Sequence, residues 1–436
     1  MSGTGTNRPI GFRPEEISAL INEDVVTQHA DDAASLWMQR DDAIGAPHYS
    51  LQDLADLDER VEANLDGLRI AGDFGWNLCK EALGAGEPGE VFAAAVLAFG
   101  AGGSDRIDTV LEVAVSDWSL GRGAVSALSW LPFDQARRPI RDLMESEDAS
   151  LRRLGIAASA AHRKNPADRL ARAVQDSDAA LRAQALKAAG ELGRTDLMRL
   201  LAHSLADPDD ACRFHAGASC LRLSPGRSDV ANALRSFVTP GDPFAAPSLA
   251  IVLRTIGIKP ARQWCDQLRH TPDSLRLAII GYGILGDPVA VDDLISCMGQ
   301  DDVARVSGEA FSMITGIDLA YDDLERDQPE DFEAGPSESP DDEDVAMDPD
   351  EDLPWPDPEL VAKWWGSNKS KFTPGKRYLK GKEISAATLR ETLLQGFQRQ
   401  RTAAALELAV MHPDQALFEV RAEGKKQQKE LEAWSS

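Results

Sequence analysis

Three passages spaced about 30 residues apart repeat one pattern, and a chain built of such copies has few folds open to it. The copies are D-A-S-L-R-R-L-G-I-A-A from Asp148, D-A-A-L-R-A-Q-A-L-K-A-A from Asp178 and D-D-A-C-R-F-H-A-G-A-S-C from Asp209. Each opens on an Asp, with an apolar residue three positions later (Leu151, Leu181, Cys212) and an arginine four later (Arg152, Arg182, Arg213). An Ala-rich run at helical spacing follows. In the middle copy Asp178 stands where an N-cap belongs, its carboxylate able to accept from the unpaired N–H groups of the first turn. Leu181, Ala185, Ala189 and Leu192 then fall on one face, where small side chains let a second helix approach closely. Leu197, Leu200, Leu201 and Leu205 make another stripe, closed by D-P-D at Asp207–Asp209. The unit is therefore helix, short turn, helix. One such hairpin cannot bury its apolar face alone, so copies must stack.

The register extends in both directions. Glu87 and Asp117 precede Asp148 at spacings of 30 and 31, and Asp242, Asp273 and Asp301 continue it at 33, 31 and 28. This predicts an all-α chain, a right-handed α-solenoid of about eight helical hairpins over 75–319. Residues 1–14 read as a flexible tail, 15–74 as an N-terminal helical cap, 320–353 as an acidic disordered linker and 354–436 as an aromatic, basic and helical C-terminal cap. Asp148, Arg152, Asp178, Arg182, Asp209 and Arg213 are expected to serve as helix caps and as an ion-pair ladder between repeats. Their recurrence argues against catalysis, because one active site would need them only once.

No apolar run approaches the ~18 residues a bilayer span requires, and the N-terminal M-S-G-T-G-T-N-R-P-I-G-F lacks the apolar core of a signal peptide. The 5 cysteines include no C-x-x-C pair, and an odd number suits no disulfide framework. A cytoplasmic protein is expected. The formal charge of −26 disfavours direct contact with nucleic acid or an anionic membrane and favours basic partners.

From Asp322 to Asp352 there are 16 acidic residues against 1 basic, which is more than half of the net charge. Such a segment buries too little to offset its ordering. It reads as a solvated tether, or as a strip (Asp341, Asp342, Asp344, Asp348, Asp350) that engages a basic partner or folds back on the chain. Asp348–Glu359 nearly fits a calcium loop, but Leu353 stands where the sharp turn needs Gly and prolines stiffen the rest. Next, Trp355, Trp364 and Trp365 interleave with lysines as single-strand binders do. The acidity of the chain favours another use, with the aromatics packing on the last repeat and the cations neutralising the strip.

No chemistry announces itself: there is no phosphate-binding Gly loop, no H-E-x-x-H and no G-x-S-x-G. His203, Cys212, His215 and Cys220 form the one cluster with ligand-type residues, and Cys212 also occupies the apolar repeat position, where a buried Cys acts as a small hydrophobe. Neither catalytic residues, nor a cofactor, nor a metal site is expected.

The repeat unit resembles the HEAT-like repeats of bacterial proteins. With L-A-D-L-D-E-R-V-E-A-N-L-D-G-L-R-I-A-G (54–72), E-A-F-S-M-I-T-G-I-D-L (309–319) and D-L-P-W-P-D-P-E-L-V-A-K-W-W (352–365), the chain looks like an uncharacterised family of HEAT-repeat proteins encoded in type VI secretion gene clusters. That resemblance implies a context near secreted toxins and their loading factors, and no catalytic residue carries over from it. The expected function is a non-catalytic binder, an immunity protein that neutralises a cognate effector such as a basic nuclease. The alternative is an adaptor or chaperone that loads an effector onto the secretion spike. The expected partner surfaces are the acidic strip and the tryptophans after it.

Overall fold

The computed structural model describes residues 22–330, 332, 335 and 347–434. These residues are helical almost throughout, in 22 α-helices with one two-stranded hairpin, an arrangement compatible with an α-solenoid. The chain divides into two compact units, one formed by residues up to Gln39 with Leu57–Ala136, the other by Arg40–Asp56 with Arg137–Ser436. The division cuts the expected array at residue 136, so the copies that begin at Glu87 and Asp117 belong with the N-terminal helices.

The first unit draws on α1 (Glu23–Ala43), α2 (Leu51–Ala71), α3 (Asp73–Ala82), α4 (Pro88–Ala101), α5 (Ser104–Ala114) and α6 (Trp118–Trp130). Its centre is α4, whose V-F-A-A-A-V-L-A-F run is buried on every side. Phe92 stacks on Trp37 at 5.1 Å and meets the edge of Trp130 at 5.4 Å. The indole N–H groups of both tryptophans still find acceptors, Ser126 Oγ at 2.9 Å and Glu62 Oε2 at 2.6 Å, as buried polar groups must. Asp117 caps α6 by accepting from the Ser119 amide at 2.7 Å.

In the second unit the Ala-rich helices α8 (Ala149–Ala161), α10 (Ala179–Glu191), α12 (Asp210–Leu223) and α14 (Ala245–Thr255), continued by α16 (Leu275–Leu285) and α18 (Asp301–Thr315), pack side by side, each on the next. A second set of helices alternates with them in sequence: α9 (Asp168–Ala173), α11 (Met198–His203), α13 (Ser228–Arg235), α15 (Ile258–Arg269) and α17 (Val291–Cys297), with α7 (Phe133–Met144) ahead of the series. The inner helices of this series have a neighbour on both sides, which is why α10 buries Ala183, Leu186 and Ala188 as well as the single stripe expected for it. Close approach sets the residue choice. A Cβ on Gly190 would overlap the Ser219 side chain of α12, whose hydroxyl donates to Leu186 O at 2.8 Å.

Capping hydrogen bonds recur in the middle of the series. Asp148, Asp178 and Asp209 accept from the amides of Ser150, Leu181 and Cys212 at 2.7, 2.8 and 2.8 Å. Later copies drift: Asp242, three residues ahead of α14, accepts from Phe244 N, Asp273 sits at φ 58° and Asp301 is already the first residue of its helix.

After α18 the chain forms α19 (Pro358–Asn368), a hairpin of β1 (Tyr378–Leu379) and β2 (Lys382–Glu383), then α20 (Ala386–Gln395), α21 (Gln398–Met411) and α22 (Gly424–Ala433). Ser385 caps α20, and α21 follows after Gly396 and Phe397. The polar end beyond them is a third helix, because Gly424, Gln427 and Leu431 form a narrow buried stripe too short to stand out from the lysines around it.

Candidate partner-binding surface

The ladder is built across repeats, and its carboxylates are not the capping ones. Arg152 of α8 donates to Asp176 Oδ2 at 2.9 Å, and Arg182 of α10 grips Asp207 with two bonds of 2.7 and 2.9 Å. Each arginine also ties down the turn before its own helix, Arg152 through Glu147 O at 2.7 Å and Arg182 through Asp176 O at 2.7 Å. Asp176 and Asp207 lie two residues before the caps Asp178 and Asp209, in D-S-D and D-P-D. Those doublets were visible in the sequence, but only stacking shows that the first Asp faces the previous repeat. Hydrogen bonds from Arg182, working against desolvation, hold Asp207 below the usual carboxylate range. Arg213 repeats the backbone contacts and pairs with its own neighbour Asp210, so the ladder ends there.

The acidic strip is described only at its ends. Asp341, Asp342 and Asp344 lie outside the described residues. At the far end the chain is anchored on the array. Arg276 holds Asp350 bidentately at 2.7 and 2.5 Å, while Arg305 donates to Asp350 O at 2.9 Å and Asp348 Oδ2 at 2.5 Å. Asp350 is 4% exposed. Desolvation pushes Asp348 upward, but the Asp350 amide and Arg305 outweigh it and leave its carboxyl below the ordinary range. The Arg305 guanidinium also lies 4.7 Å over Trp355, whose carbonyl accepts from the Arg326 amide at 2.8 Å. Residues 347–355 therefore have a definite course, where a continuous linker without structure over 320–353 was expected. The cause is paired arginines on α16 and α18, which the composition of the strip could not reveal.

The tryptophans serve the chain's own packing. Trp355 and Trp365 are buried, and Trp364 meets Phe311 of α18 edge-on at 5.6 Å. Trp365 donates to Asp292 Oδ1 at 3.0 Å and packs against Phe372 at 5.4 Å. The adjacent cations turn away from the strip: Lys369 pairs with Asp292, Lys376 with Glu383, Lys382 with Glu391 and Arg377 with Glu407. Of the strip and tryptophan residues expected to meet a partner, those described are engaged within the molecule.

The C-terminal segment is fastened along the Ala-rich helices by arginines that sequence reasoning did not single out. Arg163, held at φ 53°, donates to Leu417 O at 2.6 Å and pairs with Glu419 at 3.0 Å. Leu417 N donates to Glu191 O at 2.7 Å, and Arg222 donates to the carbonyls of Pro413 and Gln415. Glu407 of α21 is buried and gripped by the buried Arg254 and the half-buried Arg377. Desolvation lowers Arg254 to about 10. Arg401, fully buried, meets only neutral acceptors: Leu393 O at 2.7 Å, Gln427 Oε1 at 2.5 Å and Gln398.

Among the described residues no group of three or more His, Cys, Asp and Glu is placed to hold a metal ion, and no helix is long and apolar enough to cross a membrane. Cys212 donates to Ala179 O at 3.3 Å, and burial pushes its thiol up to about 12. His215 packs beside the stacked rings of Phe214 and Phe244, where burial lowers it to about 4. No family model matches the chain, and no curated protein matches it.

Proposed function

We propose that the protein is a non-catalytic binder of other proteins, an immunity protein that neutralises a cognate type VI secretion effector. On this reading the stacked pairs form a right-handed HEAT-like solenoid with helical caps at both ends. The observation that carries it is charge. A chain of net charge −26 bears a segment, Asp322–Asp352, with 16 acidic residues against 1 basic, and among the described residues of that segment Asp348 and Asp350 pair with arginines of the array. The remaining carboxylates are a field that steers a basic partner, and a basic nuclease toxin presents such a surface where its substrate runs. The resemblance of the repeats and of 54–72, 309–319 and 352–365 to proteins of secretion gene clusters supports the same context.

Co-expression tests it. Growth arrested by a toxin from the same gene cluster should be restored by this chain, and unchanged arrest would end the reading. An adaptor that loads the effector onto the spike is the second reading. It would bind the effector without restoring growth, and its deletion would lower secretion in a healthy producer.

A further inference from the structure

Beside the C-terminal end of α18 the second unit opens a cavity of about 570 Å³, within the range of ligand sites. Its apolar wall is Pro47, Met313, Ile317, Leu353 and Phe397. Two cations and four carboxylates also line it, and their bookkeeping decides what the cavity can accept. Arg399 is spent, donating to Glu309 Oε1 and to Gly45 O, both at 2.7 Å. Lys380 is half-buried and donates to Gln395 O at 2.5 Å; desolvation lowers its pKa. Asp318 accepts from the Tyr321 amide at 3.2 Å. Glu351 and Asp352 are exposed on the rim, with no ion pair among the described residues. His48, also exposed, lies against Tyr49. The uncompensated charge is therefore negative, and it stands beside an apolar wall.

We propose that this cavity takes an extended basic segment of the partner protein, an apolar side chain entering between Met313, Ile317 and Phe397 while an adjacent Lys or Arg meets Glu351 and Asp352. This rests on the reading of the chain as a protein binder and names the place and chemistry of the grip. Both charge and shape are required, because an acidic rim alone would attract any cation.

The test uses the full chain and a fluorescein-labelled peptide, Gly-Lys-Leu-Arg-Trp-Lys-Gly, read by fluorescence anisotropy. Saturable binding is expected, weakened about tenfold by Glu351→Lys with Asp352→Lys, and similarly by Ser312→Phe, which fills the cavity, with melting temperatures unchanged. Equal binding of a peptide whose Leu and Trp are replaced by Gly, or displacement by spermine at equal concentration, would overturn the assignment in favour of plain charge attraction or a small cation. Rescue from toxin by the charge-reversed chain at wild-type strength would remove the cavity and leave the function standing. Peptide binding by a wild-type chain that rescues no cell would do the reverse.

Discussion

Replacing Arg182 by Ala removes the centre of the inter-repeat ladder. The guanidinium is 14% exposed and its partner Asp207 9%, so the pair is shielded without being dry. Two charge-assisted bonds and the contact to Asp176 O are lost, and Asp207 keeps only the Asp209 amide at 3.0 Å. A broken buried pair costs about 3–5 kcal/mol, a charged hydrogen bond about 1.5–3, so partial solvation places the loss near ~3 kcal/mol. In a unit of this size that lowers the melting temperature by roughly 4–5 °C. Arg213→Ala is the internal control. Its carboxylate partner Asp210 is 68% exposed, so less than ~1 kcal/mol is expected. Calorimetry gives the totals, and hydrogen exchange should show α10 and α12 losing protection first, since stacked repeats feel chiefly their neighbours. The sign with pH follows from Asp207. Its folded-state pKa is depressed, so its contribution is present above about pH 4 and lost as the pH falls through the folded value. Arg182→Ala should flatten that acid limb. Equal losses in the two variants, or additive effects of Arg182→Ala and Asp207→Ala in a double-mutant cycle, would refute the ladder.

Three further outcomes are expected. Gly190→Ala should destabilise by about 1–3 kcal/mol in urea unfolding, with much of the loss recovered by Ser219→Gly, because the added methyl meets the Ser219 side chain. None of the five buried cysteines should react with a disulfide reagent at pH 8 before the chain unfolds; burial pushes Cys79, Cys212 and Cys265 up to about 12. Arg276→Ala should speed proteolysis just before Leu353 by freeing Asp350 while leaving the global melt within about 2 °C, and an unchanged cleavage rate would contradict that anchor.

What was legible in the sequence is what is local. An Asp that caps its own helix needs only its own turn, so Asp148, Asp178 and Asp209 could be named from the repeat. The helical class followed from the period. Contacts between distant segments left no such trace. Asp176 and Asp207 were passed over because their partners lie 24 and 25 residues back, across a repeat boundary. Arg163, Arg222 and Arg401 sit in ordinary-looking helical sequence and acquire their roles only when residues 412–427 lie against them. The cavity is made by five separate stretches, none of which carries a motif for it. Composition did describe the acidic segment, but Arg276 and Arg305, which hold its end, are separated from it by at least 43 residues.

The most direct measurement is affinity capture of the full chain from its native cell at low and at moderate salt, with partners identified by mass spectrometry. A single basic toxin domain, retained at low salt and released as salt rises, is the expected result. Recovery of spike components in its place, or of no protein at either salt, would contradict neutralisation of an effector as the function.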